Sequence, residues 1–160
     1  CSLNRADIQV TASSTSDWPG SNGLIALVAG GASIGNVENV RVRLTVSGAC
    51  IHTAYVHFYH QGPEREGAMR DIDATVNVVN ARDASSIFMF DHETDGVLRR
   101  TARAWDRIAL HGSVTGRFRG RVISNRSLTS APGTVSVDRN LAELDGMAGL
   151  GALFRVEQAQ

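Results

Sequence analysis

Lysine is absent from these 160 residues, so all 16 basic side chains are arginine. A GC-rich coding sequence gives that bias without selection. Physically, it leaves planar guanidinium forks as the permanent cations, each able to grip phosphate, sulfate or carboxylate through two parallel hydrogen bonds. Long apolar runs are also missing: Leu24 to Ala29 is the longest, the length of a strand, against the ~20 residues a membrane-spanning helix needs. Proline occurs three times, at Trp18-Pro19-Gly20, Gly62-Pro63 and Ala131-Pro132-Gly133, and each marks a loop. There is no low-complexity tract and no legible internal repeat. With 42% apolar and 20% charged residues, the composition is that of a single globular domain spanning 1–160 rather than a disordered or fibrous chain.

Only two cysteines occur, Cys1 and Cys50, and Cys1 stands where an initiator methionine would. A lipid-bearing Cys1 followed by Ser2 suits an exported lipoprotein, and a Cys1–Cys50 disulfide suits an oxidising compartment. Both lead to an extracytoplasmic expectation: secreted, periplasmic or anchored to the envelope. The sequon Asn125-Arg126-Ser127 points the same way. A virion is the alternative, since a coat protein released from a precursor also lacks its starting methionine.

The formal charge is zero but unevenly spread. The first 98 residues are acidic on balance, whereas 99–126 hold arginines opposed by Asp106 alone.

What is abundant is period-two alternation, the pattern of strands with one buried face. Val40, Val42, Leu44 and Val46 alternate with Arg41, Arg43 and Thr45. After a turn at 47–49, the run 50–60 puts Ala54, Val56, Phe58 and His60 opposite Tyr55, His57 and Tyr59, so the two runs together predict a hairpin. Residues 71–79 repeat the scheme with Ile72, Ala74, Val76 and Val78 inward. Residues 113–122 do so with Val114, Phe118 and Val122 inward. Shorter strands are expected at 7–12, 23–29, 86–90, 134–138 and 152–157. In 96–111, Leu98, Ala102, Trp105 and Ala109 recur at helical spacing, with Gly112 placed to end a helix. A second short helix is expected around Leu141 to Met147. Many short strands and few helices predict a mainly β fold: an antiparallel β-sandwich or jelly roll with one or two short helices. A parallel sheet is set aside because it would need crossover helices the sequence has no room for.

Candidate chemistry starts with Gly31-Ala32-Ser33-Ile34-Gly35, which matches the serine-hydrolase elbow in letters. The alternation that follows is a strand where that elbow needs a helix, so a loop between strands is the better reading. His52, His57 and His60 do not converge on an extended strand and would need His92, His111 or carboxylates to bind a metal. Asp91-His92-Glu93-Thr94-Asp95-Gly96 resembles half a calcium loop, but Ala102 stands where its bidentate glutamate belongs. Neither cofactor nor catalytic residue is therefore assigned.

Two binding faces remain. Arg117, Arg119 and Arg121, joined by Arg100, Arg103 and Arg107, would form a positive surface for an anionic partner. Tyr55, His57 and Tyr59 on one outward strand face would suit a protein or glycan. The leading expectation is a non-catalytic exported structural or recognition domain binding a surface, glycan or protein. The alternatives are a self-assembling coat subunit with its arginine face toward nucleic acid, and a small His/Asp metalloprotein; homo-oligomerisation is left open.

Overall fold

The computed structural model describes residues 2–13, 17–18, 24–30, 35–48, 50–51, 54–61, 68–81, 86–93, 105–116, 118, 120–125, 134–145 and 155–159. Its strands are β1 (Leu3–Ser13), β2 (Asp17–Trp18), β3 (Ile25–Gly30), β4 (Val37–Ser47), β5 (Cys50–Ile51) and β6 (Val56–Gln61). They continue with β7 (Met69–Ala81), β8 (Ser86–Glu93), β9 (Trp105–Gly116), β10 (Arg121–Asn125), β11 (Thr134–Asp138) and β12 (Arg155–Ala159). One helix, α1 (Arg139–Asp145), lies between the last two strands.

Every strand pairing is parallel. A first sheet runs β1-β4-β7-β9-β11-β12, a third runs β3-β6-β8-β10, and the two-stranded second sheet is β2-β5. The described strands visit the three sheets in rotation for two circuits and then alternate between the first and the third, so each circuit lays its strands on those of the circuit before. This is a parallel β-helix, a solenoid of stacked coils, and it overturns the antiparallel β-sandwich or jelly roll. The expected hairpin fails for the same reason: β4 pairs with β1 and β7, not with the strand that follows it. Up to β11 a coil returns to the first sheet through strands of the other sheets rather than a crossover helix. Only between the parallel neighbours β11 and β12 does the described chain carry a helix, α1.

Alternation itself is confirmed. Val40, Val42, Leu44 and Val46 are buried, as are Ile72, Ala74, Val76 and Val78, and the aligned Ile108, Leu110, Val135 and Val137 continue the rows. These pack with the inner faces of β6 and β8 into one core. Phe58 stacks on Phe90 of the next coil, ring centroids 4.7 Å apart at 13°, and Phe90 meets Trp105 edge-on at 5.4 Å.

The helix expected over 96–111 is replaced from Trp105 onward by β9; residues 96–104 lie outside the described set. Trp105, Ile108 and Leu110 point inward, a mixture of spacings produced by a kink at Arg107. Gly112 sits inside the strand rather than ending a helix. The single strand expected over 113–122 is two: β9 ends at Gly116 and β10 begins at Arg121 on another sheet. The short helix near Leu141 is present as α1, with Leu141 and Ala142 buried in the core.

Candidate functional site

The kink in the first sheet organises its outer surface. Arg5, Asn39, Asp71 and Arg107 all have left-handed backbones, with φ of 62°, 56°, 53° and 50°. They occupy the same rung of successive strands, because the pairs Asn4–Glu38–Arg70–Asp106 and Ala6–Val40–Ile72–Ile108 flank them. At this rung two consecutive residues face outward before alternation resumes, as in the burial sequence of Val37 to Val40. Asn and Asp visit this conformation most readily among residues with a Cβ, whereas an arginine there meets a cost of about 1–2 kcal/mol. Cross-coil bonds hold the rung. Asn39 Nδ2 donates to Asn4 Oδ1 at 2.9 Å, and Arg107 donates through Nε and Nη2 to the two Asp71 oxygens at 2.6 and 2.9 Å.

Arg107 also donates to Asp106 through Nη1 at 2.6 Å. Its hydrogen bonds hold the Asp71 carboxyl below the usual carboxylate range, and the same carboxylate raises the affinity of the guanidinium for its proton.

Beside the rung lies an open groove of about 440 Å³. Ala6 and Val40 form its floor, while Arg5, Asp7, Asn39, Arg41, Asp71 and Asp73 line it. Two arginines thus face three aspartates across three adjacent strands, with a second tie where Arg43 grips Asp7 at 2.9 Å.

The polar face continues past Asp73. His111 on β9 places Nδ1 2.8 Å from Asp138 Oδ1 and Nε2 3.5 Å from Asp73 Oδ1. The Gly112 backbone N–H donates to the other Asp138 oxygen at 3.2 Å, and Asn140 Nδ2 donates to the Gly112 carbonyl at 2.8 Å. A carboxylate oxygen thus faces each ring nitrogen of His111, an acceptor for an N–H on either one. The pattern of Asp73, His111 and Asp138 cannot be found by scanning the chain, since adjacency here comes from stacking coils.

Two of the six arginines expected to form an anion-binding face are described. Arg107 belongs to the first sheet, while the exposed Arg121 opens β10 in the third; Arg100, Arg103, Arg117 and Arg119 lie outside the described residues. The outward face expected for Tyr55, His57 and Tyr59 is corrected: Tyr55 is 0% exposed and His57 5%, and only Tyr59 is partly accessible. Tyr55 precedes β6 in a bend, where its side chain turns into the core. His57 stands 3.6 Å from Asp91 Oδ2, with its ring 5.6 Å from that of Tyr59.

Ser33, His52 and Cys1 lie outside the described residues, whereas Asp91 to Glu93 continue β8. Among the described residues, no three His, Cys, Asp or Glu side chains converge as a metal site requires. No helix among them is long and apolar enough to cross a membrane. In comparisons with known proteins, no family model, no curated protein and no solved structure matches this chain.

Proposed function

We propose that this chain is a non-catalytic recognition domain whose outward first-sheet face binds a neutral, hydroxyl-rich glycan. The observation carrying the reading is the open groove across β1, β4 and β7, lined by guanidinium, carboxylate and amide groups in rows. Parallel strands lie ~4.8 Å apart, close to the length of one sugar unit. Each coil can therefore offer a polar rung to one unit of a polymer. Carboxylates accept from vicinal hydroxyls and guanidinium forks donate to their oxygens.

Charge favours a neutral ligand over a polyanion. Three aspartates in the groove outnumber its two arginines, and Arg107 spends its fork on Asp71 and Asp106.

Affinity electrophoresis through gels containing dextran, xylan or galactomannan, with heparin as the polyanionic probe, tests the proposal. Retardation by a neutral polymer, lost in Asp73→Asn and Arg41→Ala, is the expected result. Retardation by heparin alone, falling steeply with added salt, overturns it, as does no retardation by any of the four.

A further inference from the structure

The first coil is built as though one more strand belonged beside it. On β4 the inward residues Val40, Val42 and Leu44 are 1%, 0% and 1% exposed. Their partners on β1, Ala6, Ile8 and Val10, are only partly covered. Leu3 is 40% exposed, whereas Val37 and Met69 in the same row are 3% and 0% exposed.

Strand β1 stands at the end of the first sheet, so one side of its backbone has no strand partner among the described residues. Such edges pair with further strands unless proline, lysine, a bulge or brevity protects them. This edge is 11 residues long and contains no proline or lysine, and its one irregularity is the rung at Arg5.

We propose that β1 pairs with β1 of a second copy, antiparallel about a twofold axis through Gln9, to make a dimer with one continuous sheet. The sequence of the edge selects this occupant and this register. Only a register that puts inward residues opposite inward residues is compatible with a buried face, because a shift of one residue exposes the apolar row. Centring on Gln9 satisfies this over Ala6 to Ala12, the full regular stretch beyond the rung. Ile8 then faces the partner's Val10, and Ala6 the partner's Ala12.

On the outward side Asp7 lies opposite the partner's Thr11, and Gln9 opposite the partner's Gln9. No like charges meet. A twofold pairing uses the same patch on both copies and closes on itself, so it stops at two.

The test exploits the axis. Gln9 faces outward, is exposed and does not line the groove. Gln9→Lys and Gln9→Glu each set like charges opposite each other at the twofold without touching the core.

Light scattering coupled to size exclusion should give the wild-type protein twice the 17.1 kDa chain mass. Each single variant should move the monomer–dimer midpoint about fivefold to higher concentration. An equimolar mixture of the two variants should recover the wild-type midpoint or better. Circular dichroism of the variants confirms that the fold is intact. A wild-type monomer at about 100 μM, well above a micromolar dissociation constant, overturns the proposal. So does a Gln9→Lys midpoint equal to wild type, or a mixture no better than its components.

Discussion

Arg107 and Asp71 are 36 residues apart in sequence and share one rung of the first sheet, both left-handed, joined by two parallel N–H···O bonds. The pair fixes the corner of two coils at once. Because Arg107 lowers the Asp71 pKa, the carboxylate contributes stability above its ordinary value of 3.8 and loses it as pH falls through the depressed folded value. The difference in melting temperature between wild type and Arg107→Ala should therefore be constant near neutrality and shrink as pH falls below 3.8. Both groups are exposed, so added salt should shrink it as well. A difference that grows on acidification would contradict the assignment; thermal melts from pH 7 downward decide.

Gly112 has φ of 142° and lies against β7, so that an added Cβ would run into the Val76 carbonyl oxygen. Gly112→Ala should cost about 3 kcal/mol or more, since backbone strain and a clash with backbone combine. Its amide and carbonyl also hold Asp138 and Asn140, so the variant should disturb His111. Urea unfolding measures the first effect, and the imidazole nitrogen NMR signals report the second.

Asn80, with φ of 55°, closes β7 at a bulge, and its backbone N–H donates to Thr115 Oγ1 at 3.2 Å. Asn80→Gly keeps that bond and suits the backbone, so it should change stability by no more than about 0.5 kcal/mol. Asn80→Val should lose about 1–2 kcal/mol, because a β-branched side chain is poorly accommodated there. Comparing the two unfolding midpoints isolates the backbone cost from loss of the amide.

Phe58 is fully buried and faces Phe88 and Phe90 of the neighbouring strand β8, with ring centroids 6.5 and 4.7 Å away. Phe58→Ala should cost about 3–5 kcal/mol, and Phe58→Leu distinctly less because it keeps most of the volume. Equal losses from the two in chemical denaturation would mean that the cavity is not what matters.

Alternation located the strands and their inward residues, because a row such as Val40, Val42, Leu44 and Val46 obeys the same pleat in any sheet. It carried no record of partner or direction: β4 reads the same whether its neighbour is antiparallel or a coil above. The repeat leaves no clear mark on the sequence, since its rungs are filled by different residues. Arg5, Asn39, Asp71 and Arg107 share a backbone conformation, yet arginine, asparagine and aspartate all serve in it. Trp105, two residues before that kink, combined with Ala109 to imitate helical spacing. Tyr55 faces the core because a bend before β6 interrupts the alternation there. The Asp73–His111–Asp138 cluster joins residues on three coils, and nothing local marks such a meeting.

The rung at Arg5, Asn39, Asp71 and Arg107 bears on how such a chain can change length. Its members recur at roughly 32–36 residues along the chain, unequal intervals that nevertheless deliver each strand into the same register. The connecting segments absorb the difference, while the left-handed residue resets the phase of the pleat on β1, β4, β7 and β9. Duplication or deletion of a whole circuit, cut at any two of these residues, would bring matching ends together, with the strands on either side still aligned. The molecule can thus be lengthened or shortened in units of one turn, much as a rope ladder gains or loses a step.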